Sequence, residues 1–427
     1  MRGVRSMTTL PVAVAAAVTL TASAGIAHSA APAAESPSSG VGTTVTSSIA
    51  DSPARPSALL SPSASAADQE AAIAEFYTDW KSAFVRNDCQ DDWYHVYSPD
   101  AYEPYVAEGQ GYGLVITAQM ADVDPEAQQL FDGILQYVLD HPSALDPDLM
   151  AGAQDLSCNT TGGQDSATDG DLDIAYGLLL ADAVWGSEGV HDYHALAVRR
   201  IDAIKRSEVH PDTRLMELGD WAHPEWTPEL YWGSRPSDWM LGHFRAFREA
   251  TGDSDWDTIR IAHQDLIETL QQDYAPDTGL LPDFVQDTGT DPKPAQGQFL
   301  ESDTDGYFSW NACRTPWRIG VDAVESGDPR SVAAAQRMDE WIKQSTGGDP
   351  NQIGSGYRLD GTRYATGSDA AFFAPFAVAA MSNPESQQWL DALWAKIVAT
   401  EVDPDTYYAA SIQLQVMLIV SGTGVTL

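Results

Sequence analysis

Cysteine, basic residues and long apolar runs are all scarce in this chain. Three cysteines occur in 427 residues, Cys89, Cys158 and Cys313. That is too few for a disulfide-stapled scaffold, although one disulfide and one free thiol can form in an oxidising compartment, with the pairing left open. There is no CxxC pair and no histidine cluster at zinc spacing, so no metal and no other cofactor is expected. Lys and Arg number 23 against 62 Asp and Glu, a net charge of −39. A surface this acidic repels phosphate backbones and anionic lipid heads, which argues against nucleic acid as a partner. Past the N-terminus no stretch approaches about 18 consecutive apolar residues, the length a membrane span needs. Hydrophobic residues still make up 43% of the chain, enough to bury a large core.

The N-terminus reads as a targeting segment. Arg2 and Arg5 precede an apolar run over 10–26, and small residues at Ala27–Ala31 offer a cleavage site. Residues 1–31 are therefore expected to be a secretory signal peptide, and the mature protein to be extracellular. Residues 32–66 are rich in Ser, Ala and Pro and are expected to form a disordered linker. The folded domain is expected over 67–427, as a monomer with no separate binding module.

Within that domain the helical period dominates. Ile73, Phe76, Tyr77, Trp80 and Phe84 recur at spacings of three and four, one face of a helix. Further helices are predicted over 172–185, over 239–251 with Gly252 as C-cap, and over 331–345, 385–400 and 407–420. Strand-like alternation is scarce. Roughly ten or more helices in one domain suggest a helical toroid or bundle. Long loops rich in Gly, Asp, Pro and Trp, at 157–168, 220–237 and 287–307, are expected to carry function. Of 13 Trp and 16 Tyr, most should pack in the core, while loop rings such as Trp93, Trp221, Trp226, Trp232 and Trp310 can stack on sugar faces.

Three segments carry candidate chemistry. The first runs Ala107-Glu108-Gly109-Gln110-Gly111-Tyr112-Gly113. An acid opens a helix there, among glycines that permit close approach to a ligand or positive φ. Its plain structural role would be an N-terminal acid stabilised by the helix dipole. The second is Ala167-Thr168-Asp169-Gly170-Asp171-Leu172-Asp173, acids ahead of an apolar helix. It is no calcium loop of EF-hand type, because the twelfth residue from Asp169 is Leu180 where a Glu is required. The third spans Glu301 to Arg318, with Arg314 and Arg318 one helical turn apart and able to hold carboxylates.

Taken in order, these segments resemble glycoside hydrolase family 8. The long element matches at Ala167, Thr168, Asp169, Gly170, Asp171, Ile174, Ala175, Ala181 and Trp185, the Glu-Gly-Gln element at Glu108–Gly113, and the Arg-x-Pro-Trp-Arg element at Asn311–Arg318. The resemblance implies an all-α (α/α)6 barrel and endo-acting hydrolysis of β-1,4-linked glycans with inversion. It implies Glu108 as general acid and Asp169 as the residue that binds the sugar of the central subsite. Gln110, Tyr112, Asp171, Trp232, Trp310, Asn311, Arg314 and Arg318 are the further expected substrate contacts.

The chain departs from many family members at Asn311, where they carry the Asp that serves as base. An amide cannot take a proton from water. The resemblance is therefore to the Asn-bearing subgroup of chitosanases and some β-glucanases, whose base is a Glu in the preceding loop. Glu301 is the candidate here, with Asp303 and Asp305 as close rivals and Asp283 and Asp287 as weaker ones. An inverting enzyme needs its two carboxyls about 6.5–9.5 Å apart to admit a water. Burial and the neighbouring Asp169 are expected to raise the pKa of Glu108 against the helix dipole. Chitosan and β-glucan stand level as substrates. The competing readings are a non-catalytic glycan-binding protein on the same barrel and a polysaccharide lyase, whose uronic-acid substrates favour a basic cleft.

Overall fold

Apolar periodicity sorts the helices into two kinds, those buried all round and those buried along one stripe. The computed structural model describes residues 59–427 except 163 and 426. Twelve described α-helices of seven residues or more follow one another: α1 (Ala66–Phe84), α2 (Ala107–Gln119), α3 (Ala127–Asp140), α4 (Thr168–Trp185), α5 (Tyr193–Ser207), α6 (Leu241–Thr251), α7 (Asp255–Asp273), α8 (Thr315–Ser326), α9 (Pro329–Ser345), α10 (Pro375–Met381), α11 (Gln387–Val398) and α12 (Tyr407–Ser421). In α4 every residue from Thr168 to Ala181 is buried, and α2, α10 and α12 are buried nearly throughout. Helices without a polar face belong inside a ring of other helices. In α1, by contrast, the stripe Ile73, Phe76, Tyr77, Trp80, Phe84 is buried, together with Gln69.

The even-numbered helices form the inner ring. α2 packs on α4, α4 on α6, α6 on α8, α8 on α10, α10 on α12, and α12 returns to α2. Each remaining helix lies over the inner helix before it, with α1 over α12. This is the (α/α)6 barrel that the resemblance implies. The described strands are three antiparallel pairs of two residues each, in the loops. Gly252, Gly327 and Gly422 end α6, α8 and α12 in the left-handed conformation.

The glycines of the Glu108 and Asp169 segments do different work from that expected. They lie within α2 and α4 and none has positive φ. A Cβ on Gly111 would stand 2.8 Å from the Cβ of Asp173, and one on Gly170 would stand 2.6 Å from the carbonyl carbon of Ala107. They let two helices meet backbone to backbone, which draws the N-termini carrying Glu108 and Asp169 together. The close approach is to a helix, not to a ligand.

The expected signal peptide and most of the expected linker fall outside the described residues. The last linker positions, 59–65, lie against the barrel: Leu60 donates to the Met381 carbonyl at 3.0 Å, and Ser63 bonds the Asp391 carboxylate through its amide and hydroxyl. No described helix is long and apolar enough to cross a membrane. Cys89 and Cys158 form a disulfide, and Cys313 is free and buried.

That disulfide closes a loop spanning 69 residues and ties the loop that follows the Val85–Arg86 strand to the loop ahead of α4. The chain-entropy effect of such a loop is about 4 kcal/mol. Reduction, or Cys89→Ser with Cys158→Ser, should lower the midpoint of thermal unfolding by several degrees. An unchanged midpoint would show that the loop retains its order without the bond.

Candidate active site

The N-terminal ends of α2, α4, α8 and α12 deliver side chains to one end of the barrel. Arg314, on the single 3₁₀ turn leading into α8, stands at the centre and is 1% exposed. Its Nη1 donates to Glu108 Oε2 at 2.5 Å and to Asp169 Oδ2 at 2.9 Å. Its Nη2 donates to Asn311 Oδ1 and Ser237 Oγ, both at 3.0 Å. The planar fork of a guanidinium can meet four partners at fixed angles, which an ammonium cannot. Tyr112, fully buried beneath it, places its hydroxyl 3.4 Å from Nη1.

Asn311 extends this chain of bonds. A guanidinium only donates, so the amide oxygen of Asn311 must face Arg314 and its nitrogen must face away. That nitrogen donates to Glu301 Oε2 at 2.8 Å. Glu301 and Glu108 thus stand at the two ends of one relay, held apart by a guanidinium and an amide. Both line one cleft with Asp100, Trp310, Asn311, Asp369, Tyr407 and Tyr408 among its walls. No lysine or arginine is among the lining residues.

The two acids under Arg314 have opposite electrostatic fates. Burial pushes the Glu108 carboxyl up, and the charge of Asp169 adds to this. Arg314 and the Tyr407 hydroxyl bond pull back, and the balance is a value raised to about 7. For Asp169, burial also raises the value. The guanidiniums of Arg235 and Arg314 outweigh it and hold the carboxyl well below the usual range. Arg235 reaches Asp169 Oδ1 at 3.0 Å and is itself braced by Asp238 at 2.9 Å. Glu108 therefore keeps a proton near neutrality beside a permanently ionised neighbour, the division of labour seen wherever environments drive paired acids apart.

The remaining expected residues separate into those that face the cleft and those that support it. Trp310 is 49% exposed on the cleft wall. Gln110, expected to touch sugar, is fully buried, and its amide grips Val96 N and O and the Val106 carbonyl. Asp171, likewise expected at the substrate, is fully buried and engaged by Arg200 and the Met150 amide. Arg318 lies one turn below Arg314 and holds Asp173 through two bonds at 3.0 and 2.5 Å, with His243 on the same carboxylate at 2.9 Å. Trp232 packs on His210 and beneath Gly289.

The rivals of Glu301 have other tasks. Asp305 is buried and accepts from the backbone of Leu300, Glu301 and Ser302, so it fixes the loop that presents Glu301. Asp283 accepts from the amides of Ser309, Asn311 and Ala312 and fixes the turn that presents Asn311. Asp287 pairs with Lys293 at 2.7 Å, and Asp303 is exposed outside the cleft lining. Arg235 and Tyr407, the latter bonded to Glu108 Oε1, were not anticipated. Arg235 lies in the Trp-rich loop without a distinguishing spacing, and Tyr407 is one more apolar position of α12. Among the described residues Asp88, Cys89 and His95 gather potential ligand atoms, but the Cys89 sulfur is already in the disulfide.

Residues 54–422 match the model of glycosyl hydrolases family 8. The chain belongs to this family. A β-glucanase of Niallia circulans is 40% identical over 353 residues, 83% of this chain and 85% of its own. An endoglucanase of Bacillus sp. (strain KSM-330) is 36% identical, covering 82% of this chain and 76% of its own. The apo structure of a β-1,3-1,4-glucanase from Paenibacillus sp. X4 superposes with a TM-score of 0.84 at 38% identity, over 87% of this chain and 97% of that one. This family 8 enzyme is thus an O-glycosyl hydrolase on an (α/α)6 barrel.

In the family 8 site Arg314 bridges Glu108 and Asp169, and Arg235 is a second cation on Asp169. Arg314→Met keeps the bulk but removes the cation from Glu108 and one of the two from Asp169, a change that costs roughly 3–5 kcal/mol. Urea unfolding of the purified variant checks this. A loss below about 1 kcal/mol, the range of an exposed ion pair, would mean that Arg314 is not the organising charge.

Proposed function

We propose that this chain is an exported endo-β-glucanase that cleaves β-1,4 bonds, with mixed 1,3-1,4 glucan as its preferred substrate, and inverts the anomeric centre. The observation that carries the reading is the relay Glu108–Arg314–Asn311–Glu301 in one cleft. Glu108, with its carboxyl raised to about 7, protonates the leaving glycosidic oxygen. Glu301, held by Asn311 as a hydrogen-bond acceptor, takes the proton of the attacking water. Asp169, ionised between two guanidiniums, binds the sugar between them. The intervening guanidinium and amide keep the carboxyls from touching, which suits a mechanism that admits water between base and sugar. The names of the β-glucanase relatives favour glucan. Export is supported by the N-terminal sequence pattern and by the Cys89–Cys158 disulfide, a bond of oxidising compartments.

A second substrate has one observation in its favour. Asp100, Glu108, Glu301 and Asp369 line the cleft without a basic residue among them, a setting that attracts the ammonium groups of chitosan. Reducing-end release from mixed-linkage glucan, carboxymethyl-cellulose and soluble chitosan, measured side by side with Glu108→Gln as blank, decides between them. Glucan should be cleaved fastest, and activity confined to chitosan would reverse the assignment.

Glu301→Gln should lower kcat by about 10²–10⁴-fold, the worth of a positioned general base, while leaving binding intact. A variant with normal turnover would remove Glu301 from the role. The pH profile supplies a second check. The acid must be protonated to act, so on the alkaline side kcat/KM should fall about tenfold per unit above the Glu108 value. A plateau extending past pH 9 would contradict this.

A further inference from the structure

Tyr407 opens α12 and is almost completely buried, yet it stands on the cleft wall beside Glu108. Its hydroxyl bonds Glu108 Oε1. The ring lies against α2, where a Cβ on Gly109 would stand 3.5 Å from its Cε2. Its backbone is held from a place remote in sequence. Thr406, the N-cap of α12, makes no side-chain capping bond. Asp100, on the loop ahead of α2, takes that role and accepts from the amides of Tyr407 at 3.1 Å and Tyr408 at 3.4 Å. A carboxylate at the positive end of a helix is also favoured by the dipole. Ring and backbone are therefore both fixed, and packing brings the hydroxyl to the acid.

The two oxygens of Glu108 have different surroundings. Oε2 takes Arg314 Nη1 at 2.5 Å. A guanidinium only donates, so Oε2 serves as an acceptor and the acid proton belongs on Oε1. A carboxyl oxygen offers two lone-pair directions to its partners. At Oε1 the Tyr407 hydroxyl fills one, and the proton takes the other. Once the proton has left, the same hydroxyl donates to a charged oxygen, and such bonds are roughly twice as strong as neutral ones. Interactions that strengthen toward the transition state are the ones that raise kcat. A tyrosine buried for packing alone would also need a partner for its hydroxyl, but any carbonyl in reach would serve. Here the partner is the oxygen that carries the proton.

We propose that Tyr407 is the positioning residue of the general acid: its hydroxyl fills one side of Glu108 Oε1, leaves the other for the transferable proton, and supports the carboxylate as that proton departs. The proposal rests on the reading of Glu108 as the acid. The proton passes from Oε1 to the glycosidic oxygen as the bond from that oxygen to the anomeric carbon breaks. The water oxygen forms the new bond to that carbon and gives its proton to Glu301. The charges facing Glu108 are Arg314 from the turn before α8, Asp169 from α4 and Arg235 from the loop ahead of α6. Tyr407 itself is faced by Glu108 and Tyr112 of α2 and by Asp100. Removing one hydroxyl alters none of these.

The test measures kcat, KM and the pH profile of kcat/KM on mixed-linkage glucan for the full chain, as wild type, Tyr407→Phe and Glu108→Gln. Burial raises the Glu108 carboxyl and the Tyr407 bond opposes it, so the alkaline limb of Tyr407→Phe should move to higher pH. Its kcat should fall about tenfold to a hundredfold, the worth of a hydrogen bond to a group that becomes charged. KM should stay within about a factor of two, because the lost interaction belongs to the transition state. A Tyr407→Phe protein with wild-type kcat and an unmoved alkaline limb would overturn the proposal. So would a lower kcat with an unmoved limb, which is the mark of a merely structural residue. Site-specific 3-fluorotyrosine at position 407 keeps the bond and makes its hydroxyl a stronger donor, so the limb should move to lower pH. This arm decides even where Tyr407→Phe does not fold, and an unmoved limb overturns the proposal there too. Wild-type turnover by Glu108→Gln would overturn the reading of Glu108 as the acid, and this proposal with it.

Discussion

Everything at the catalytic end of this barrel is arranged around one guanidinium. Arg314 is almost completely buried and meets Glu108, Asp169, Asn311 and Ser237 at once. An uncompensated charge in such a place would be strongly destabilising. The mutual requirement fixes their geometry. It also sets the protonation difference, because Asp169 has a second guanidinium in Arg235 whereas Glu108 shares the first and is pushed up by burial and by Asp169 itself.

The barrel supports this centre from below by repeating it one turn deeper. Arg318 and Asp173 stand four residues beyond Arg314 and Asp169, on α8 and α4, and His243 completes their network. The lower layer locks α4 against α8, so that the upper layer meets in register. Glycines at the contact of α2 with α4 bring the third helix into reach. The loops then need only present Glu301 and the cleft walls. Buried Asp305 and Asp283 do so by binding backbone amides on either side of Asn311.

Much of the fold was legible because burial leaves a mark on composition. The all-round apolar run of α4 and the single stripe of α1 differ in ways that sequence displays directly. The motif residues Glu108, Asp169, Asn311 and Arg314 do converge, but a motif does not separate residues that face a ligand from those that hold the frame. Gln110 and Asp171 lie within two residues of Glu108 and Asp169, yet helical geometry turns them into the protein, where backbone and Arg200 engage them. Arg235 and Tyr407 were missed for the converse reason. Each reaches the centre through tertiary structure alone, from a loop and from an apolar helix without local pattern. The cysteine pairing was equally invisible, since it depends on two loops meeting across 69 residues.

The central claim is that Glu108 and Glu301 act from opposite ends of the Arg314–Asn311 relay, with a water between base and sugar. The most direct test is proton NMR of the anomeric signals during the first minutes of glucan hydrolysis, before mutarotation blurs them. The account predicts that the α-anomer of the new reducing end appears first and the β-anomer grows in afterwards. Initial release of the β-anomer would mean a covalent intermediate and would contradict the assignment of Glu301 as a base acting through water.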